Sequence, residues 1–386
     1  MAAVLLAAAS AVVAYILIGY PLLLAFFPGR RAPAVRKQPG FQTSVSVLLA
    51  VHNGAGFIRR KLECLLALDY PPDLLEILIV SDGSTDGTDE IVAAFAAASS
   101  RPPIHLLRIP RAGKASALNK ALAHATGEIL FFTDVRQDLD RNALSHLVAN
   151  FADPSVGAVT GELRLLNPDR RGEEADMELY WRYELWARRR HSAIDSIFTP
   201  TGCIYAMRRA LAEPLRTDTL TDDPALSLPA FFRGYRVVFD PQARAYDYPT
   251  AAGGEFQRKL RTLAGLWQMH LRLPQLFTRA NRMRFHFLSH KFARLVLPWA
   301  LLSVWIATLA LPRSGFRRFL FVDELVFVAL ALLDRLIPRG FILKRISSPA
   351  RTFLAMNLAA MLSIVVFFVP PATLWKPTRV RQTVRR

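Results

Sequence analysis

The chain has 386 residues, 52% of them hydrophobic, and carries a formal net charge of +18 at pH 7. This length accommodates one domain of about 200 residues plus membrane segments, because single cores stop growing near ~250 residues. The apolar stretches at both ends argue against a soluble basic protein, and two distant cysteines, Cys64 and Cys203, argue against a disulfide framework or a zinc site.

Basic residues concentrate beside the apolar stretches, as they do on the cytoplasmic side of membrane proteins. Charge alone fits anionic lipids, an acidic substrate or nucleic acid. Because the chain has no motif that interleaves basic and aromatic residues, we expect anionic lipids of the bilayer as partners and no nucleic acid.

The first predicted element is an N-terminal transmembrane helix over residues 1–28. No charged residue occurs from Ala2 to Phe27, which is enough for a helix to cross a hydrocarbon core of ~30 Å. A cleaved signal peptide is the alternative, but the start lacks a basic n-region. The arginines of a basic linker over residues 29–43 then predict an inner-membrane protein whose next region is cytoplasmic.

A cytoplasmic domain is predicted over residues 44–250, where short β-rich runs alternate with helical patterns. This alternation predicts an α/β fold with a doubly wound, mostly parallel sheet. The predicted strands are Val45–Ala50, Ile77–Val80, Ile104–Ile109 and Ile129–Thr133, and the helices between them lie near Ala55–Leu68, Asp86–Ala98 and Gly113–Ala125. Ligands of such sheets bind beyond the carboxyl ends of the strands. Because Asn53, Asp82 and Asp134 each follow a strand, we predict that they converge on one crevice.

Further elements follow this sheet. A long polar-aromatic helix is predicted near Glu173–Arg190, and the segment RVVFDPQARAYDY predicts a pair of strands. Amphipathic interface helices are predicted over residues 251–291, where Arg258 and Arg261 oppose an apolar face. A plain surface helix is the equally supported alternative.

The C-terminal region, residues 292–375, contains two clear spans, Phe292–Leu311 and Phe353–Trp375, and a basic tail follows at 376–386. A third segment, Phe319–Ile337, contains four charged residues, and its longest uncharged run is short for a span. The sequence therefore predicts two or three spans here.

Three motifs place acids where chemistry is expected. In SDGSTDGTDEI, Asp82 leaves a strand beside glycines that permit a tight turn, and a carboxylate there can accept a hydrogen bond from a base or ribose. In FFTD, Asp134 ends an apolar strand and can hold a divalent cation. In TLTDDPA, Asp222 and Asp223 begin a helix, where one can cap the helix and the other can act as a general base.

In this order the motifs resemble the family-2 inverting glycosyltransferases of GT-A type fold, which include cellulose and hyaluronan synthases. The resemblance covers roughly residues 44–270 and is carried by LLAVHNGAGFI, VSDGSTD, GKASALN, FFTDVRQ and TDD. It implies a membrane-bound enzyme that moves a sugar, with inversion, from a UDP- or GDP-sugar to a lipid-linked or polysaccharide acceptor.

The resemblance also assigns roles to individual residues. It implies that Asp82 contacts the nucleobase or ribose, that Lys114 lies beside the donor, and that Asp134 holds Mg²⁺ or Mn²⁺. Asp223 would deprotonate the acceptor hydroxyl. The remaining implied positions are Asn53 on the donor side and, on the acceptor side, Asp222 and the Gly202 of TPTGCIYAMRR.

Three departures from the family pattern modify this prediction. Arg136 stands where the metal motif has its second acid, so we expect it to pair with donor phosphates and to weaken metal dependence. Gly54 and Ala55 replace an acidic pair on the nucleoside side. In the interface helix, the stretch from Arg258 to Thr262 lacks the tryptophan of processive polymerases, which favours transfer of one or a few sugars. Arg258 and Arg261 are expected either to hold a diphosphate or lipid phosphate, or to reach lipid headgroups.

Two other functions remain open at this stage. A catalytically silent membrane scaffold would explain Arg136 and the altered nucleoside loop. A nucleotidyltransferase also uses doubly wound sheets with acids at strand ends, and it would release pyrophosphate.

Overall fold

The computed structural model describes residues 1–26, 29, 31–166, 173–247, 254–338 and 340–374, without the side chains of 173–180, 254, 255 and 372. The predicted basic tail lies outside the described residues. The chain forms two compact units. One comprises residues 30–166 and 191–249, which we call the sheet unit, and the other comprises residues 1–29, 167–190 and 250–386, which we call the helical unit.

In the described part of the chain, eight strands form one sheet. They are β1 (Val45–Val51), β2 (Leu75–Asp82), β3 (Ile104–Ile109), β4 (Ile129–Phe132), β5 (Asp138–Leu139), β6 (Val156–Leu165), β7 (Tyr205–Arg208) and β8 (Arg236–Asp247). Their order is β3-β2-β1-β4-β7-β6-β8-β5. Strands β3, β2, β1 and β4 are parallel, β7 is antiparallel to β4 and β6, and β8 is parallel to β6 with β5 antiparallel beside it. The predicted α/β fold with a mostly parallel sheet is confirmed.

The described residues form thirteen α-helices: α1 (Ala2–Ala14), α2 (Tyr20–Phe26), α3 (Ala55–Leu66), α4 (Thr88–Ala98), α5 (Lys114–Leu122), α6 (Ala143–Val148), α7 (Glu173–Ile194), α8 (Asp222–Phe232), α9 (Gly254–Arg272), α10 (Arg284–His286), α11 (Ala293–Ala310), α12 (Gly315–Leu333) and α13 (Lys344–Leu362). A π-helical segment, Tyr15–Gly19, joins α1 to α2, and another, Phe287–Phe292, joins α10 to α11.

The core of the sheet unit lies on both faces of the parallel strands. Leu48 and Leu49 of β1 and Phe131 of β4 are fully buried, which explains why these strands are continuous apolar runs. The polar residues that can face a ligand therefore follow the carboxyl ends of these strands, as Asn53 and Asp134 do.

Up to Asp247, the segment RVVFDPQARAYDY forms one strand, β8, so the predicted strand pair is wrong. Its pairing with β6 is interrupted between Phe239 and Arg244, and it resumes in the same direction. Pro241 lies in this interruption and has no N–H to donate, so it produces an irregularity within the strand and no reversal.

Among the described residues of the helical unit, three helical segments are long and apolar enough to cross a membrane: Ala2–Phe26, Arg284–Ala310 and Lys344–Phe367. The last begins nine residues before the predicted Phe353 and ends at Phe367, ahead of Pro370 and Pro371, while Trp375 lies outside the described residues. α12, the predicted doubtful span, is a continuous 19-residue helix but is not one of the three.

Charged side chains of this region have partners within the helical unit. Glu324 of α12 accepts a hydrogen bond from Thr308 at 2.8 Å, and Asp334 lies 2.9 Å from the Lys344 ammonium and 3.0 Å from the Arg351 guanidinium. Pairing of this kind lowers the cost of keeping carboxylates among apolar helices.

Candidate active site

The loop after β2 is built on the loop after β1. Asn53 adopts a positive φ of 48°, accepts a hydrogen bond from the Thr85 N–H at 2.9 Å, and donates its own N–H to Ser84 Oγ at 3.1 Å. Gly83 has a φ of +64°, and a Cβ there would lie 2.9 Å from the backbone nitrogen of Arg111. The glycine of SDGSTD is therefore required both for its φ and for the close approach of the next loop.

Asp82 holds that next loop. Its carboxylate is buried, is paired with Arg111, and accepts hydrogen bonds from the N–H groups of Ala112 at 2.6 Å and Gly113 at 3.0 Å. This arrangement fixes the entry to α5 and hence the position of Lys114. The described contacts of Asp82 are thus structural, and its predicted contact with a nucleobase or ribose stays a prediction.

Lys114 joins two of the predicted acids. Its ammonium donates a hydrogen bond to Asp134 at 2.9 Å and lies 3.1 Å from a carboxylate oxygen of Asp222. Although burial lowers it, the pKa of Lys114 is raised above its ordinary value, because both carboxylates stabilise the charged form. We call Lys114, Asp134 and Asp222 the acid–lysine cluster. It brings together the start of α5, the end of β4 and the start of α8.

Asp223 lies beside Gly202. A Cβ built on Gly202 would be 3.6 Å from Asp223 Oδ1 and 3.8 Å from Asp223 Cγ, both ordinary contact distances. The absence of a side chain at Gly202 therefore leaves space next to the Asp223 carboxylate. Two residues predicted to face the acceptor are thus neighbours.

The Arg136 guanidinium is paired with Asp247, the last residue of β8, and Gln137 Nε2 donates to the same carboxylate oxygen at 2.8 Å. The sequence predicted phosphate as the partner of Arg136, whereas its described partner is an acid of this chain. The buried Asp247 carboxylate needs a cation at this position, and Arg136 supplies it. A contact between Arg136 and phosphate stays a prediction.

Lys61 was missed at the sequence level. Its side chain is only 1% exposed, and its ammonium donates to Thr133 Oγ1 at 2.7 Å and to the Gln137 carbonyl at 2.8 Å. It therefore supports, from the inner side, the loop that carries Asp134. A signal was present, because Lys61 lies in the apolar stripe of α3 with Ile58, Leu62 and Leu65, where a cation needs specific partners.

Arg258 and Arg261 lie on α9 and are half-buried. They belong to the helical unit, whereas the predicted donor and acceptor residues of the sheet unit form the contacts described above. Their predicted roles toward a diphosphate, a lipid phosphate or headgroups stay predictions.

Among the described residues, no three His, Cys, Asp or Glu side chains are grouped as a ready-made metal site. A magnesium-like ion in a nucleotide site is usually held by one or two carboxylates and completed by substrate phosphates. The Asp134 side chain is 37% exposed and already contacts the Lys114 cation. Asp134 thus offers one accessible carboxylate for such an ion, and the Lys114 ammonium is a cation that competes for it.

Comparison with known proteins identifies the domain that contains this site. The family model for glycosyl transferase family 2 matches residues 46–216. The chain contains a family-2 glycosyltransferase domain. The match includes Asp82, Lys114, Asp134 and Gly202 and ends before Asp222 and Asp223, which the structure joins to the site through Lys114 and Gly202.

Two curated relatives and one solved structure agree with this assignment. The chain is 29% identical over 225 residues to the probable glycosyltransferase YdaM of Bacillus subtilis, covering 56% of this chain and 54% of that protein. It is 27% identical over 272 residues to the poly-beta-1,6-N-acetyl-D-glucosamine synthase of Staphylococcus aureus, covering 69% and 64% respectively. The chain thus spans less than two thirds of the length of these relatives.

The solved structure is the mannosyltransferase PcManGT of Pyrobaculum calidifontis in complex with GDP-Man and Mn²⁺. It is 26% identical, has a TM-score of 0.74, and the match covers 94% of this chain and 98% of that one. The glycosyltransferase class and the GT-A type fold expected from the sequence are therefore confirmed.

Proposed function

We propose that this family-2 glycosyltransferase is a membrane enzyme that transfers a sugar from a nucleotide-sugar to an acceptor at the bilayer surface, with inversion at the anomeric carbon. The observation that carries the proposal is the acid–lysine cluster, which brings the predicted donor residues Lys114 and Asp134 to the same place as the acid pair that begins α8.

On the donor side, Lys114 and Asp134 have complementary tasks. The Lys114 ammonium stabilises negative charge that develops on the departing nucleoside diphosphate, the kind of electrostatic assistance that usually contributes most to such reactions. Asp134 would hold Mg²⁺ or Mn²⁺, which supplies Lewis-acid stabilisation of the same phosphates when bound. Asp82 and Asn53 act indirectly, since they fix the two loops that lead to Lys114 and Asp134.

On the acceptor side, Asp223 acts as general base. The acceptor hydroxyl loses its proton to the Asp223 carboxylate as its oxygen forms a bond to the anomeric carbon, and the bond from that carbon to the diphosphate oxygen breaks on the opposite face. The diphosphate leaves with the bonding electrons, and no covalent enzyme intermediate forms. Gly202 leaves room for the acceptor beside the base.

The membrane part of the proposal is supported by three helical segments of sufficient length and by the basic residues that flank them. These basic residues favour a cytoplasmic sheet unit on the inner membrane and contacts with anionic lipids. A lipid-linked or polysaccharide acceptor at that surface is consistent with this placement. The missing tryptophan after Arg261 favours the transfer of one or a few sugars.

Two donors deserve the first test. The solved relative carries GDP-Man, and the Staphylococcus aureus relative is named for a polymer of N-acetyl-D-glucosamine. We therefore propose a panel that begins with GDP-mannose and UDP-N-acetylglucosamine.

The decisive experiment uses the full chain purified into lipid nanodiscs, incubated with each donor and a lipid extract. Release of nucleoside diphosphate by the wild type and its loss in Asp223→Asn are expected. Release of pyrophosphate would indicate nucleotidyl transfer, and no release from any donor would refute the proposal. Mass spectrometry of lipids from cells with and without the protein would identify the acceptor, and NMR of the product would test inversion.

A further inference from the structure

A buried threonine joins two loops that the proposed function uses. Thr133 directly follows β4 and directly precedes Asp134, and its side chain is buried. Its N–H donates to the Leu48 carbonyl of β1 at 3.3 Å. The sheet therefore holds the residue immediately before the carboxylate that is expected to bind the metal.

The Thr133 hydroxyl lies between a group that can only donate and a group that can only accept. The Lys61 ammonium donates to Thr133 Oγ1 at 2.7 Å, and Thr133 Oγ1 donates to the Cys203 carbonyl at 3.0 Å. Because an ammonium cannot accept and a carbonyl cannot donate, the hydroxyl hydrogen has one orientation, toward Cys203. None of the three residues is more than 4% exposed, so loss of either bond would leave a buried polar atom without that partner.

On one side, this hydroxyl belongs to the loop that carries Asp134. Lys61 also donates to the Gln137 carbonyl at 2.8 Å, so its ammonium holds the first and the last residue of the segment 133–137. We call this segment the metal loop. Asp134 lies inside the metal loop, and the hydrogen bonds at both ends limit the backbone movements that would redirect its carboxylate.

On the other side, the hydroxyl reaches the turn that contains Gly202. This turn, residues 201–204, is also held from β6, where the Thr201 N–H donates to Thr160 Oγ1 at 2.8 Å and Thr160 Oγ1 donates to the Ile204 carbonyl at 3.0 Å. We call it the acceptor turn. Thr160 thus attaches the acceptor turn to a strand, whereas Thr133 attaches it to the metal loop.

We propose that Thr133 is a positioning residue whose hydroxyl couples the metal loop to the acceptor turn, so that Asp134 and the space beside Gly202 keep a fixed separation. This inference rests on the proposed function and extends it to a residue to which the family resemblance gave no role. Displacement needs the acceptor oxygen, the anomeric carbon and the departing diphosphate in one line, and a misplacement of about 1 Å can cost about 10²-fold in rate. Thr133 acts through the two loops, because its hydroxyl is used by Lys61 and Cys203.

The test compares Thr133→Val and Thr133→Ser with the wild type, each as the full chain in lipid nanodiscs. Valine keeps the branched shape and removes the hydroxyl, whereas serine keeps the hydroxyl. Mn²⁺ affinity is measured by EPR of the free ion with GDP or UDP present, and the signal of empty nanodiscs is subtracted. The acceptor side is measured as the half-saturating amount of lipid extract in the assay of nucleoside diphosphate release.

In Thr133→Val, we expect the dissociation constant for Mn²⁺ to rise about tenfold, the scale of the loss when a group that orients a metal ligand is removed. The half-saturating amount of lipid extract should also rise, because the acceptor turn loses the same hydrogen bond. Thr133→Ser should stay within about threefold of the wild type in both measurements, since it can form both hydrogen bonds. Should Thr133→Val not fold, Thr133→Ala takes its place, because it removes the hydroxyl without placing a methyl against the Lys61 ammonium.

Thr160→Val is the matched control. Thr160 is also a buried threonine, and in the part of the chain that the structure describes its hydroxyl bonds to the acceptor turn and not to the metal loop. This substitution should raise the half-saturating amount of lipid extract. Mn²⁺ affinity should stay within about twofold of the wild type, because the metal loop keeps its own contacts.

An effect of Thr133→Val on neither or on only one of the two measurements would overturn the inference. Failure of Thr133→Ser to restore both, or an equal loss of Mn²⁺ affinity in Thr160→Val, would overturn it as well. Turnover by a wild type that binds no Mn²⁺ would also do so, since there would be no metal for the loop to position. Lack of turnover by the wild type with every donor would instead refute the proposed function itself.

Discussion

The adjacent acids that begin α8 should have different mutant phenotypes, although they are neighbours in sequence. Asp222 contacts the Lys114 ammonium at 3.1 Å, whereas Asp223 lies beside Gly202, on the side proposed for the acceptor. Asp223→Asn removes the proposed base and leaves both contacts of Lys114 intact. Loss of a general base typically lowers the rate by about 10² to 10⁴. We therefore expect kcat to fall in this range, with the donor KM within about threefold of wild type.

Asp222→Asn should act on the donor side. At an effective dielectric constant near 20, the attraction between charges 3.1 Å apart is roughly 5 kcal/mol before the cost of desolvation, which cancels most of it. The amide cannot provide this attraction, so Lys114 is held by Asp134 alone. We expect the donor KM to change by about tenfold and the melting temperature to fall. We also expect kcat to fall less than in Asp223→Asn.

The assay for both variants is release of nucleoside diphosphate at varied donor and acceptor concentrations, with donor binding measured by calorimetry on the same preparations. Comparable expression and melting curves establish that each variant is folded. The reasoning is refuted if Asp223→Asn transfers sugar at more than about one tenth of the wild-type rate. It is also refuted if the two variants lose donor binding to the same extent.

Four further outcomes follow from the same contacts. Lys114→Met should lower kcat/KM for the donor by about 10² to 10³. Lys114→Arg should fail to restore kcat/KM, because a planar guanidinium does not replace a compact ammonium between two carboxylates. Steady-state kinetics of both variants test this prediction. Gly202→Ala should leave the melting temperature unchanged, since the added methyl meets only Asp223 at ordinary contact distance. The same substitution should raise the acceptor KM. An unchanged acceptor KM would count against an acceptor site beside Gly202. Burial lowers the pKa of Lys61, so the unfolded chain binds more protons than the folded chain between that lowered pKa and the ordinary value of 10.5. The free energy of unfolding of the wild type, relative to Lys61→Met, should therefore rise with pH across this window in urea titrations. A difference that does not change with pH would contradict this prediction. Chelation should reduce turnover, and added Mn²⁺ or Mg²⁺ should restore it in the wild type but not in Asp134→Asn.

The parallel half of the sheet was predictable because its physical signal is simple. Four apolar runs of four to eight residues alternate with amphipathic helices, and the observed strands β1 to β4 begin and end within two residues of the predictions. Strand β6 was missed because Gly157 and Gly161 interrupt its β-rich pattern. A Cβ at Gly161 would lie 2.4 Å from the Ala243 carbonyl, so these glycines reflect close packing between strands that local sequence does not reveal.

The predicted site residues also divide into positions that the sequence places and contacts that only the folded chain reveals. Asp134 and Lys114 were predictable at one end of the sheet, because residues that follow parallel strands meet at the same edge. The acid pair of α8 follows the antiparallel strand β7, and only the family resemblance linked it to them. The partners of these residues required long-range contacts. Asp82 uses its carboxylate on the loop before α5. This arrangement does not follow from residue spacing alone.

Arg136 shows how a departure from a motif can be understood only with its neighbours. An arginine at the second acid position adds a cation near the proposed donor site, where Lys61 already places a buried ammonium behind the same loop. Asp247, at the end of β8, neutralises that addition by pairing with the guanidinium. The pair also attaches the metal-motif loop to the last strand of the sheet, immediately before the chain continues toward α9. The substitution therefore exchanges a second metal acid for a structural anchor, and Asp134 is left as the acid expected to hold the metal. On this basis Arg136→Met should loosen the loop and lower stability, whereas metal affinity should depend mainly on Asp134.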